Sequence, residues 1–417
     1  MITIEQFENL IGTKSFLKDG KPCFNHTINL NGRKDITELP DNITVLGGLD
    51  LSGSGVKRLS KGLTVMWWLN ISQTDIEELP EDTKFYGNLY VEGMNKPFSF
   101  PKVVDVKSNF YCRATTVKRM PEELYVKISC DFSGSTFDNY PKIMKVGCAL
   151  YFYDTRITEL PKGLTEIYGN FDIRRTNVSK LNDNLVVYKN LDLGYTQVEY
   201  LSKGLIVNLT LDLWKVDLKD YSNLHKVCRG FALSKNKYAE IKDSLAEHKS
   251  ENLWGKIYVN FKPNHKGAYL FENEIGKYIK ADGIFGKIVK QKGNVYHVNM
   301  YEDGNNFITY LVTDGEGHWA HGTTFDEAKE DLFYKINKRN TDEYKELSLD
   351  SVLSFDEAIV CYRVITGACS FGTKYFITNV LGENKKDKYT IREIIELTKG
   401  EFGNEKFKNF FFINHET

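Results

Sequence analysis

The chain has 417 residues, 41% apolar and 13% aromatic, with 55 basic and 56 acidic side chains. That is core material for two or three domains, and a net charge near zero excludes a broadly basic nucleic-acid or anionic-membrane binder. No stretch approaches the roughly 20 apolar residues of a bilayer-spanning helix, the first residues lack the basic and apolar regions of a secretory signal, and seven scattered cysteines point to a reducing, cytoplasmic setting.

Residues 3–12 read as a short amphipathic helix within an N-terminal helical cap, 1–24, that covers the open end of the core behind it. From 25 to 235 the chain repeats itself every 20 to 21 residues. The phrase V/I-x-x-L-P recurs from Ile36, Ile76, Val117 and Ile157, with degenerate copies from Val56, Phe98, Phe137, Val178 and Val198. Six of the nine prolines (Pro40, Pro80, Pro101, Pro121, Pro141, Pro161) fall at this one phase. A fixed period of this size means a solenoid, an architecture that more often presents a binding surface than a catalytic pocket.

Each repeat ends in period-two alternation, from Leu49-Asp50-Leu51 to Leu211-Asp212-Leu213. This marks a half-buried strand, stacked coil on coil into one parallel sheet. Ten or so coils make a sheet roughly 45–50 Å long. Three residues past each strand, Ser54, Thr74, Thr115, Ser135, Thr155, Thr176 and Thr196 form a column whose hydroxyls can satisfy turn backbone. Gly47, Gly87, Gly147 and Gly169 recur where coils approach closely.

The outward column of the sheet reads Asp50, Asn70, Tyr90, Tyr111, Asp131, Tyr151, Asp172, Asp192, Asp212. The next column carries Arg113, Tyr153, Arg174 and Trp214, and Trp68 stands just before its strand. Strand propensity alone puts aromatics on sheets. Several in register, mixed with arginine and acids, have the composition of a protein-interface hot spot, and they are the candidate binding residues.

The pattern I-x-x-L-P-x-x-L-x-x-I-x-G-x-L-x-L-x-x-T resembles the short bacterial and phage type of leucine-rich repeat. The resemblance implies a leucine-rich-repeat-like solenoid with a parallel sheet over 25–235 and no particular activity. Effector ubiquitin ligases with such repeats use a Cys-x-Asp motif; Cys130-Asp131 lacks that spacing, so no ligase activity carries over.

Residues 236–254, rich in Lys, Glu and His, read as a C-terminal cap or linker with a helix over 238–248. Beyond them the composition changes. Turn signals at Asp282-Gly283, Gly293-Asn294, Asp303-Gly304 and Asp314-Gly315 separate strand-like runs at 278–281, 285–290, 295–301, 307–312 and 318–321. This is an antiparallel meander. Capping boxes at Thr324, Ser354 and Thr390 open helices over 325–338, 355–365 and from 390, with further helices over 369–381 and 404–412. Residues 255–417 are therefore an α+β domain, and the whole chain has a mixed fold. The strings over 313–322, 362–372 and 389–403 resemble a domain of uncharacterised phage and mobile-element proteins, which implies a protein working in the host-cell cytoplasm.

One nucleophilic arrangement is conceivable: Cys369 at a helix start after Gly367-Ala368, with His318 or His321 as base and Asp314 to orient it. The plainer reading is a buried cysteine at a helix break beside turn histidines, and the parts do not make a catalytic signature. Cys361 and Cys369 lack zinc-knuckle spacing, and Lys280–Gly286 is a hairpin, not a phosphate loop. No cofactor or metal is expected. The expectation is a non-enzymatic protein whose solenoid sheet recognises a protein partner, rather than nucleic acid or membrane. With the resemblances, its sharpest form is a phage-encoded inhibitor of a host defence protein. The alternatives are an enzyme, or a protein that sequesters a small ligand or nucleotide, with its site in or beside the C-terminal domain; Arg113, Arg174 and the tyrosines would then grip an anionic or planar ligand.

Overall fold

The structure, a computed structural model, describes residues 2–302, 305–336, 341–368 and 370–413. Contacts divide the chain into two compact units. The first is Met1–Lys262 with the short segments Phe271–Gly276 and Tyr301–Asn306; the second is Pro263–Leu270, Lys277–Met300 and Phe307–Thr417.

The first unit is a β-solenoid of about ten coils with a repeat of about 20 residues. Its main sheet contains the expected strands, from Ile28–Asn29 through Leu49–Asp50 and onward to Ile206–Asp212, all parallel. Each coil passes its N–H groups to the next: Leu69, Ile71 and Gln73 donate to the carbonyls of Asn88, Tyr90 and Glu92, and Leu89, Val91 and Gly93 to those of Asn109, Tyr111 and Arg113. The third donor of each set sits in the left-handed region, at Gly53, Gln73, Gly93, Ala114, Gly134, Asp154, Arg175 and Tyr195. That conformation turns the chain while keeping its N–H aimed at the next coil, so the ladder continues through the bend. Several of these residues are not glycine, and each such position costs about 1–2 kcal/mol.

Short second strands were not expected. Thr44–Val45, Thr64–Val65 and Lys84–Phe85 pair in parallel, as do Val103–Val106, Glu123–Val126 and Ile143–Val146. They lie just ahead of the main strands, across a bend that holds the recurrent glycines. A Cβ on Gly87 would lie 2.6 Å from the Trp67 carbonyl oxygen, and one on Gly169 would lie 2.6 Å from the Ala149 nitrogen. The coils close on backbone there, so no side chain fits. The hydroxyl column does its expected work: Thr74, Thr155, Thr176 and Thr196 each donate to the carbonyl three residues back, at 2.7–2.8 Å. A second polar ladder runs at the strand starts. The Asn88 side-chain oxygen accepts from Asn109 N, that of Asn109 from Ser129 N, and that of Asn170 from Asn190 N.

One apolar core runs from Phe7 to Phe261. At its first end the helix Ile4–Ile11 is capped by Thr3 and Gln6, ends at left-handed Gly12, and seats Phe7 edge-on to Phe24 at 5.7 Å. A hairpin, Phe16–Lys18 with Lys21–Phe24, completes this cap. The other end differs from the expected helix over 238–248. The helix is shorter, Lys235–Ile241, and is followed by a hairpin of His248–Leu253 and Lys256–Phe261. This hairpin joins the main sheet through the Cys228–Ser234 strand. Ile257, Val259 and Phe261 alternate toward the core with polar residues between them, and that period-two pattern favours strand over helix. The boundary expected at 254/255 thus falls on the turn of this hairpin.

The meander, most of which belongs to the second unit, stands as read. Gly276–Ala281, Ile284–Lys292, Val295–Glu302, Asn305–Thr313 and Trp319–Gly322 follow one another in the sheet, with Tyr269–Asn273 added at its start. The turn expected at Asp303-Gly304 lies outside the described residues. Helices Phe325–Ile336, Phe355–Thr366, Ile391–Leu397 and Asn404–Ile413 follow, and the boxes at Ser354 and Thr390 are formed. At Thr324 the box is shifted, because the Glu327 carboxylate takes Thr323 N instead. The helix from Ser370 becomes a π-helical turn over Phe376–Leu381. A small antiparallel strand pair, Val352–Ser354 with Lys388–Thr390, went unread in the sequence. No helix among the described residues is long and apolar enough to cross a membrane.

Two substitutions test this coil geometry. Ala114→Gly, relieving a left-handed alanine at φ 48°, is expected to stabilise the first unit by about 0.5–1 kcal/mol. Gly87→Ala, forcing two coils apart, is expected to cost about 1–3 kcal/mol. Urea midpoints of the two variants, measured beside the wild type, check both signs.

Candidate functional site

The ladder sets thirteen strands side by side and carries one residue of each into a single row on the face away from the core, in which Ala232 is buried. The row runs Asn29, Asp50, Asn70, Tyr90, Tyr111, Asp131, Tyr151, Asp172, Asp192, Asp212, Ala232, Tyr258, Glu251. At about 4.8 Å per strand it is roughly 58 Å long. All nine residues of the expected column lie on it.

Their roles are not all those expected. The Oδ1 atoms of Asp50, Asn70, Asp131, Asp172, Asp192 and Asp212 each accept the backbone N–H two residues on, at 2.9–3.0 Å. This is an Asx turn, and it holds the chain as it leaves the strand. The acids therefore shape the coil first and offer only their second oxygen outward. Asp172 is buried, with 7% exposure. Where the column holds tyrosine, this brace is replaced in one coil by the Ser72 hydroxyl, which accepts Glu92 N at 3.1 Å.

Two clusters emerge along the row. In the first, Tyr90 and Tyr111 stack at 4.9 Å with their planes 8° apart, and Trp68 meets Tyr90 edge-on at 6.5 Å. Gly48 makes room for Trp68: a Cβ there would lie 2.3 Å from the indole. Arg113 lies 5.5 Å from the Tyr111 ring centre, bonds the Glu92 carboxylate, and stands 3.7 Å from Asp131. Burial and the stacked Tyr90 raise the Tyr111 hydroxyl above its ordinary pKa. In the second cluster, Arg174 pairs with Asp172 at 2.6 Å and Asp192 at 3.0 Å, and lies over Tyr153 at 5.1 Å. Its bond to Asp172 raises its pKa further. Lys256 pairs with Asp212 and lies over Trp214 at 5.6 Å, and the Trp214 N–H donates to the Tyr195 hydroxyl at 3.3 Å. Arg175 covers the Tyr195 ring at 5.2 Å. Tyr151 lies on the row between the two clusters.

Both candidate arginines are thus bracketed by carboxylates, which leaves neither as a free anion grip. The sequence missed Lys256, Tyr195 and Arg175, because the closing hairpin and the left-handed column were not read. It also missed the exposed Met66, Trp67 and Tyr86, beside Trp68 at the bends; Trp67 is 62% exposed.

Of the candidate chemical residues, His318 and Asp314 come together as base and orienter, and His321 does not join them. His318 is exposed and its Nδ1 lies 2.5 Å from Asp314. Burial opposes the Asp314 charge, but the N–H groups of Glu316 and His318 and the imidazole outweigh it, and the carboxyl falls to about 2. His321 pairs with Asp282 at 2.7 Å instead, and Asp282 also bonds Lys335. Cys369 lies outside the described residues. Burial pushes the Cys361 thiol up to about 12 and raises Cys112, Cys130 and Cys228, which suppresses the thiolate each would need. Among the described residues no group of three or more His, Cys, Asp and Glu side chains is placed to hold a metal. The second unit does contain an apolar cavity of about 170 Å³, between the Phe355–Thr366 helix and the π-helical turn, lined by Phe355, Ile359, Phe376, Ile377, Leu397 and Phe402 among others.

Burial, and then the neighbouring Asp212, push Asp192 up to about 6 from an ordinary 3.8. An acid raised in the folded state binds its proton before the unfolded chain does. Its contribution to stability therefore grows as pH falls from about 6 toward 4 and is lost as pH rises through 6. Carboxyl-carbon NMR should show Asp192 titrating near 6 in the wild type and lower in Asp212→Asn.

Comparison of the chain with protein-family models, with curated proteins and with solved structures finds no match, so the reading of function rests on the face itself.

Proposed function

We propose that the protein is a binding protein whose first unit recognises a macromolecular partner, a protein, across the outward row of its main sheet. The observation that carries this is the stacked Tyr90–Tyr111 pair with Trp68 and Arg113 beside it, held on a ladder of strands. Aromatic and arginine side chains fixed in place bind with little loss of conformational freedom, and they dominate protein-interface energetics. Saturation of Arg113 and Arg174 by acids argues against a free phosphate or nucleotide as the main ligand. The leucine-rich-repeat resemblance fits a recognition surface of this kind. The resemblance of the C-terminal strings to phage and mobile-element proteins gives the sharpest version, an inhibitor acting on a host defence protein in the cytoplasm. A second reading rests on the apolar cavity in the second unit: an uncharged, apolar small molecule bound there.

Affinity capture from bacterial lysate, wild type beside a Tyr90/Tyr111/Tyr151→Ala variant, separates the two. The three rings lie on the outward face, so the variant should keep its circular dichroism. A stoichiometric protein retained by the wild type and weakened at least about tenfold in the variant supports the first reading. A retained small molecule with no protein partner in either sample supports the second.

A further inference from the structure

The His248–Leu253 strand is the last in the main sheet and, among the described residues, has no neighbour on its outer side. Its residues are exposed apart from half-buried His248. A two-residue turn, Trp254-Gly255, joins it to Lys256–Phe261, with both turn residues in the left-handed region. In such a hairpin the residues flanking the turn form a hydrogen-bonded pair, and bonded and unbonded pairs alternate from there. Leu253, Glu251 and Lys249 therefore spend their N–H and C=O groups on the Lys256–Phe261 strand. The continuing bond from Lys262 N to Glu247 O keeps that parity. The corresponding groups of Asn252, Ser250 and His248 point to the free edge.

We propose that this edge pairs with the same edge of a second copy of the chain, antiparallel, about a two-fold axis at Ser250. Ser250 then faces Ser250 of the other copy, and His248 faces Asn252. These are the residues with free backbone groups, so every outward N–H and C=O over the strand finds a partner. The residues between them form the close, non-bonded pairs, where opposed side chains come nearest. There Lys249 of each copy faces Glu251 of the other. Neither side chain has an ion-pair partner among the described residues, and both are exposed.

Charges on an edge strand usually block pairing. Here their alternation blocks the two nearest symmetric alternatives and permits this one; an axis at His248 or Asn252 opposes no like charges but carries part of the pairing beyond the strand. A two-fold axis at Lys249 opposes lysine to lysine, one at Glu251 opposes glutamate to glutamate, and an axis between residues mismatches the bonding parity. The pairing also extends an existing sheet, joining the outward rows of two copies end to end at Glu251. One strand pair is a small interface, so the dimer is expected to be weak and concentration-dependent.

Sedimentation velocity of the full chain at rising concentration tests this. Wild type should shift from monomer to dimer, less so in high salt. Lys249→Glu and Glu251→Lys should each weaken self-association at least about tenfold, since each sets like charges opposite one another. An equimolar mixture of the two variants should restore dimers, because every facing pair is then opposite in charge. Both positions are exposed, so melting temperatures should hold. A wild type that stays monomeric, a dimer that neither reversal weakens, or a mixture that fails to recover overturns the proposal.

Discussion

The constraint on which the first unit depends is the parallel hydrogen-bond ladder from coil to coil. Each coil must place its N–H groups at one fixed phase opposite the carbonyls of the next. From that requirement follow the glycines where backbones touch, the hydroxyls that fasten turn carbonyls, the Asx braces at strand exits and the left-handed residue in every coil. It also fixes the outward row. A side chain at this phase has its neighbours set at strand spacing whether or not they suit it, so Tyr90 and Tyr111 can stack while Asp172, Asp192 and Asp212 are forced close. Arg174 and Lys256 sit where they offset that repulsion.

The same positions therefore carry both architecture and surface. Asp131 braces its own turn through one oxygen and stands near Arg113 with the other. An alanine there would remove a turn brace as well as a surface charge, and its effect on binding would be mixed with its effect on the coil. The tyrosines of the row make no such turn brace, which is why they are the cleaner positions for probing recognition.

Much of the first unit was legible because its signal repeats. A proline phase and a period-two strand seen many times over outweigh the noise of any one copy, and the hydroxyl column and recurrent glycines came with them. The left-handed column was not legible, because glycine marks it only at Gly53, Gly93 and Gly134, while Gln73, Arg175 and Tyr195 adopt it for the sake of the ladder. The Asx role had a readable trace: apart from the tyrosines, the column holds aspartate and asparagine and never glutamate, whose longer side chain cannot close that turn. The closing hairpin was misread because Lys, Glu and His through 236–254 look helical by composition, and the deciding alternation at Ile257, Val259 and Phe261 lies beyond them. The meander was legible from its turn dipeptides, whereas Asp282 pairing with His321 depends on residues far apart in sequence.

Native-state hydrogen exchange resolved by residue tests the ladder most directly. The account predicts that the amides of Leu69, Leu89, Phe110, Cys130, Leu150 and Phe171 are protected together, and that protection continues into Phe231 and Val259 of the closing strands. Protection that stops before the Cys228–Ser234 strand, or fast exchange at these positions in the middle coils, would contradict a single ladder and the continuous outward row built on it.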